Sequence, residues 1–184
     1  VRPSRAGTLV VARFATVDRN GRPVRTTDYG SVYRGISTET EVRAPVDHLP
    51  RAERPGADET HWTVTVPVAA RAAHVYSECA RIWNPIHTDV AVARMAGLPA
   101  PILHGSATLA LAVSQVVQQD LEGDPARVAE VAVRFTGMVP MPSSFVVRGR
   151  ARAGGVMAFD AVDAQGESVL ADGVIRAAEG IGRS

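Results

Sequence analysis

One long apolar helical signal followed by four strand signals, with no further helix between them, constrains the fold of this chain most. Residues 106–121 open just behind Gly105 and carry Leu109, Ala112, Val113, Val116 and Val117 at helical spacing. Residues 128–135, 145–153, 156–162 and 168–177 then read as consecutive strands, with Gly154-Gly155 and Gln165-Gly166 as turns. A helix with an apolar stripe must bury it against another element, and strands joined by short turns pair antiparallel. The expected fold class is therefore α+β, a long central helix wrapped by an antiparallel sheet.

The first half divides less evenly. Residues 8–17 (TLVVARFATV) read as a strand, Asn20-Gly21 as a tight turn, and residues 23–42 as a returning extended segment with Tyr29, Val32, Tyr33 and Ile36 as its apolar contacts. Residues 45–60 are rich in proline and charge and read as a linker. Residues 61–68 read as a strand and 69–81 as a helix, with Ala72, Val75, Tyr76, Cys79 and Ile82 near one face. A second short helix is expected at 89–95, stopped by Gly97. The expected domains are a strand–turn–strand segment (1–44), a linker (45–60) and a compact α+β domain (61–178).

Composition narrows the function classes. The chain has 184 residues, 46% hydrophobic and 21% charged, with a formal net charge of +1. That is ordinary globular composition, and nothing in its bulk charge points to nucleic acid or an anionic membrane. No apolar run reaches the roughly 18 residues that span a bilayer, and the N-terminus lacks a signal-peptide pattern. Cys79 is the single cysteine, which excludes an internal disulfide and makes a cytoplasmic setting the expectation.

The chemistry concentrates in two short stretches, Asn84-Pro85-Ile86-His87-Thr88-Asp89 and Ile102-Leu103-His104-Gly105. A histidine just past a rigid Asn-Pro step, followed by a glycine-led helix, suits an acid/base imidazole facing backbone N–H donors. His87 is the candidate proton carrier and Gly105 the candidate oxyanion donor. Asn84 is expected to fix the turn that aims His87. Asp89 reads as a helix N-cap, and His104 as a turn residue. Tyr76, Cys79 and Trp83 read as core side chains, and Glu78 as solvent-facing.

The segment from Tyr76 to Ala93, centred on Asn84-Pro85-Ile86-His87, resembles the MaoC-like, (R)-specific enoyl-CoA hydratase family of hot-dog proteins. Leu103-His104-Gly105 is similar to the segment that opens that family's long helix, and Val133-Arg134-Phe135 to a strand that follows it. The resemblance runs from about Trp62 to Ala177. It implies a hydro-lyase acting on an enoyl or 3-hydroxyacyl thioester of coenzyme A or an acyl carrier protein. His87 and Gly105 would be its catalytic groups, with Asn84, Asp89, Ile82, His104 and Ser106 as positioning or substrate-binding residues. No metal or redox cofactor is implied. Pairing into a homodimer or a heteromeric hot-dog assembly is.

The chain departs from the family at informative places. The family has an acidic residue two positions before the Asn, preceded by glycine; here those positions hold Ile82 and Arg81. The Pro-Gly that follows the Val-Arg-Phe strand is changed to Met141-Pro142. Ile82 carries no proton, so a second carboxylate would have to be Asp89, Glu78 or one from elsewhere in the assembly. Two rival readings follow. One is a non-catalytic acyl-thioester-binding subunit that supports an active partner. The other is a metal site built from His87-x-Asp89 and His104. Some chains of the family carry two hot-dog units in tandem, and residues 8–42 resemble the closing strands of a first, degenerate or missing unit; the alternative is that they extend the sheet of the single unit.

Overall fold

The computed structural model describes residues 1–4, 7–39 and 59–178. They belong to two units, Val1–Pro50 and Arg51–Ser184.

The first unit is a three-stranded antiparallel sheet in the order β1-β2-β3, with β1 at Arg2–Ser4, β2 at Gly7–Val17 and β3 at Pro23–Arg34. Asp18 closes the β2–β3 turn by accepting from the N–H groups of Asn20 (2.8 Å) and Arg22 (2.9 Å), and Gly21 adopts the left-handed backbone that such a turn requires (φ 79°). Arg13 and Asp28 face each other across the strands in a two-bond ion pair (2.7 and 2.8 Å). Two expectations change here. β3 ends at Arg34 rather than running to residue 42, and residues 40–42 lie outside the described residues. Tyr29, Val32, Tyr33 and Ile36 are exposed rather than packed, because this unit has, among its described residues, no helix to cover either face of its hairpin. The expected linker also lies outside the described residues except for Glu59 and Thr60.

The second unit holds β4 (Trp62–Val68), α1 (Ala72–Ala80), α2 (Val90–Met95), α3 (Gly105–Asp120), β5 (Val128–Phe135), β6 (Ser143–Ala153), β7 (Val156–Asp163) and β8 (Ser168–Ala177). Its five strands form one antiparallel sheet in the order β4-β6-β7-β8-β5. The sixteen-residue α3 packs on β4, β6 and β7. This is the hot-dog arrangement. β6 shows how the sequence dictates it. Phe145, Val147, Gly149 and Ala151 alternate inward, in step with the two-residue period of a strand. Phe145 and Val147 form one core with Ala107, Ala112, Val116 and Val117 of α3 and Phe159, Ala161, Leu170 and Ile175 of β7 and β8. Each large side chain buried this way contributes about 1.5–3 kcal/mol of hydrophobic stabilisation.

α1 is shorter than the expected 69–81, and of its expected inward face Ala72 and Tyr76 pack against the core. Ala73 and Ser77, one helical turn apart, are buried, whereas Val75, Cys79 and Ile82 are exposed. Small side chains at the contact let the helix approach closely, so the contact selects size over hydrophobicity. Trp83 is also exposed, with its indole N–H donating to Glu78 (3.3 Å).

One close approach locks β4 to the helix. Trp62 lies opposite Gly149 in register, and its indole N–H donates to Asp120 at the end of α3 (3.0 Å). A Cβ on Gly149 would overlap the indole ring. Gly149→Ala is expected to destabilise the fold by about 1–3 kcal/mol through overpacking, read as a lowered denaturation midpoint. An unchanged midpoint would show that the indole swings away freely. No helix among the described residues is long and apolar enough to cross a membrane.

Candidate active site

The site forms where the chain leaves α1, makes a tight turn, and later enters α3. Asn84 begins a single 3-10 turn over Pro85–His87, and its side-chain oxygen accepts from the Ile86 N–H (3.4 Å). Proline at the first position fixes the backbone that this turn needs. The turn delivers His87 half-buried, with Nδ1 2.8 Å from the Ile102 carbonyl oxygen. A carbonyl can only accept, so Nδ1 carries the hydrogen and Nε2 is left as the basic nitrogen. Ile102 is itself held in place. It forms an isolated antiparallel bridge with Pro140, and the Leu103 N–H donates to Val139 (2.7 Å).

His104 lies directly against His87. The two imidazoles stack with centroids 3.7 Å apart and an interplanar angle of 23°. His104 is buried, at 3% exposure. Its Nε2 lies 3.3 Å from both the Ile82 carbonyl oxygen and the Ser77 hydroxyl. The carbonyl again fixes the tautomer, so Nε2 is the protonated nitrogen, while Nδ1 is buried with no hydrogen-bond partner. Burial pushes the His104 pKa below its ordinary value, repulsion from His87 lowers it further, and the bond to the Ile82 carbonyl opposes both.

That shift has a consequence for stability. The folded chain binds the His104 proton less readily than the unfolded chain does. Stability is therefore intact above the ordinary histidine value of 6.5 and falls as the pH drops below it. Denaturation midpoints at about pH 7.5 and about pH 5 are expected to differ more in the wild type than in His104→Phe. Equal differences in the two proteins would assign the acid sensitivity to other groups.

α3 begins at Gly105, one residue earlier than expected, with His104 as its N-cap residue and no side-chain cap. Gly105 and Ser106 are exposed, and the N–H groups of the first turn, which follows directly on His104, lack partners within the helix. The ring of Phe135 lies 3.3 Å from where a Gly105 Cβ would stand. Tyr76 donates to the Ser106 hydroxyl (2.9 Å), and its ring lies 5.0 Å from that of His104. Tyr76 packs against the core as expected and also borders the site, and Ser77, for which no sequence signal stands out, joins it there. Only their place next to His104 in three dimensions marks them.

The remaining candidates lie around this centre. Asp89 accepts from the N–H groups of Ala91 (2.7 Å) and Val92 (3.2 Å) as the N-cap of α2. Ile82 touches His104 through its main-chain carbonyl, while its side chain is 45% exposed. Arg81, at the position where the resembled motif has glycine, caps α1 in the left-handed conformation (φ 55°). A glycine adopts that conformation without strain. Among the described residues no carboxylate hydrogen-bonds to either imidazole, and no three His, Cys, Asp or Glu side chains converge as metal ligands. Face-stacked rings do not aim two nitrogens at a common point, and Asp89 is occupied by its helix.

Residues 56–164 match the family model for the MaoC-like domain. The chain belongs to the MaoC-like family. Among its relatives, a peroxisomal enoyl-CoA hydratase 2 of Arabidopsis thaliana is 42% identical over 53 residues, which is 29% of this chain and 17% of the relative. A probable enoyl-CoA hydratase 2 of Dictyostelium discoideum is 26% identical over 134 residues, 71% of this chain and 44% of the relative. This MaoC-like chain therefore spans less than half the length of either. The crystal structure of a MaoC-like dehydratase from Phytophthora capsici shares its fold, with a TM-score of 0.81 and 24% identity over all of this chain and 61% of that one.

Proposed function

We propose that this MaoC-like chain adds water to an enoyl thioester, or removes it from a 3-hydroxyacyl thioester, carried on coenzyme A or an acyl carrier protein. The observation that supports this most is the setting of His87. Its Nδ1–H is anchored on the Ile102 carbonyl, so Nε2 is free as a base, on a ring stacked against the residue that leads into α3. In the hydration direction, His87 Nε2 takes a proton from water as the oxygen bonds to the β-carbon. The displaced electron pair moves onto the thioester oxygen, where the Gly105 N–H stabilises the enolate. The proton held on His87 then passes to the α-carbon, so the atoms balance with one acid/base group. Asn84 holds the turn, Asp89 holds α2, Ser106 and His104 shape the approach to α3, and Ile82 stands where the family's acid would.

Ile82 also supports a second reading, in which the chain binds acyl thioesters without converting them and completes an active partner subunit. In either case the hot-dog unit works as part of a homodimer or heteromeric assembly, in a cytoplasmic setting. The strands Arg2–Ser4, Gly7–Val17 and Pro23–Arg34 resemble the closing strands of a second hot-dog unit of the kind that tandem members of the family carry. Purified protein is tested against a panel of enoyl and 3-hydroxyacyl thioesters, for turnover by absorbance and for binding by calorimetry. Turnover supports the enzyme, and binding without turnover the supporting subunit. A chain that neither binds nor converts any thioester loses both readings.

A further inference from the structure

We infer that His104 is a positioning residue for His87. Its neutral ring is the platform on which the His87 imidazole is held, and on which the imidazolium rests once His87 has taken a proton. The inference builds on the proposed hydratase reading, and geometry carries it. His104 is fixed on several sides. Its main chain enters α3, its Nε2–H is shared between the Ile82 carbonyl and the Ser77 hydroxyl at 3.3 Å each, and its ring packs near Tyr76 at 5.0 Å. Its other nitrogen is buried without a partner. A proton placed there would create a buried N–H with no acceptor, which is costly for a neutral group and more so for a charged one.

His87 differs in the feature that matters. It is half-buried, its Nδ1–H is already satisfied, and its Nε2 is free. The titratable side chains facing His104 are His87, from the 3-10 turn, and Tyr76, from α1; from α3, the Thr108 hydroxyl bonds only to the His104 main-chain carbonyl. Of the stacked pair, His87 Nε2 is therefore the nitrogen placed to take up a proton during the proposed reaction. A cation lying 3.7 Å above an aromatic face is attracted to it. In a site where Ile82 offers no carboxylate, that ring face takes over part of the charge compensation. The Ile82 main chain contributes indirectly, by holding His104 in place.

The test uses the full chain with His104→Leu, His104→Gln and His104→Phe, followed by NMR titration of the His87 ring and by steady-state kinetics. In the Leu and Gln variants, His87 is expected to titrate at lower pH than in the wild type. Turnover is expected to fall about 2- to 30-fold, the worth of a cation–π contact expressed as a rate, with KM nearly unchanged. Phe restores a ring face and is expected to return both readings close to the wild type. Gln keeps a donor for the Ile82 carbonyl and serves if Leu does not fold. Unchanged His87 titration in Leu and Gln would overturn the inference. So would a Phe variant as impaired as they are, because His104 would then act through its nitrogen. The titration needs no substrate, so a chain that converts no thioester yet shows the His87 shift loses the hydratase reading and keeps the stacked pair.

Discussion

His87→Ala is expected to lower hydratase turnover by roughly 10²–10⁴-fold, the usual worth of one positioned acid/base group, while KM changes little. The separation of the two constants follows from the geometry. In the proposed mechanism the free Nε2 acts on the water and the α-carbon as bonds change. The first turn of α3, proposed to hold the thioester oxygen, does not depend on the imidazole. Loss of the ring also removes the bond to the Ile102 carbonyl and the stack on His104, so some stability is lost, about 1–2 kcal/mol. Assays are therefore run well below the variant's unfolding midpoint. Equal activity of the variant and the wild type, on a substrate the wild type clearly converts, would make His87 a structural residue.

How far the sequence reveals the structure depends on the range of the interactions involved. The four C-terminal strands and their turns are legible because alternation and paired glycines are local signals, and the structure places strands at Val128–Phe135, Ser143–Ala153, Val156–Asp163 and Ser168–Ala177. The stripe on α3 is equally local, and Ala112, Val116 and Val117 are buried as its spacing requires. The three-residue β1 is invisible, since it is too short to alternate and exists only through pairing with β2. On α1, Ala72 and Tyr76 are legible as core contacts, whereas the fully buried Ala73 and Ser77 are not, because they are chosen by the space available and not by hydrophobicity. At the site, the Asn-Pro step announces the turn that carries His87. Nothing local announces that His104, seventeen residues on, lies flat against that ring with Ser77 and Tyr76 around it. Burial of a histidine and the tautomer it adopts are tertiary facts.

Ile82→Asp is expected to raise hydratase turnover, by up to roughly the 10²–10⁴-fold that a second acid/base group supplies. The main chain at this position is already fixed. The Ile82 carbonyl holds His104 at 3.3 Å, and the Ile82 N–H closes the end of α1 on the Ser77 carbonyl at 3.2 Å. Only the side chain changes. Taken as buried, a carboxylate here would cost 1–3 kcal/mol or so without a partner, but the Ile82 side chain is 45% exposed, so the expected cost is below about 1 kcal/mol. Adding Arg81→Gly relieves a left-handed backbone that costs a residue with a Cβ about 1–2 kcal/mol. The double variant is therefore expected to be at least as stable as the wild type and more active. The controls decide where the second proton group lies. Asn caps a helix about as well as Asp, so a rate loss in Asp89→Asn at unchanged stability would assign chemistry to Asp89. Glu78→Gln asks the same of Glu78, and Ile82→Val should be silent. If the wild type is already fast, Asp89→Asn or Glu78→Gln slows it, and Ile82→Asp adds nothing, then another carboxylate serves the site and the substitution at Ile82 has been compensated. If the wild type binds thioesters without turnover and Ile82→Asp stays inert as well, the missing carboxylate is not what holds the chain back, and its role is to support a partner.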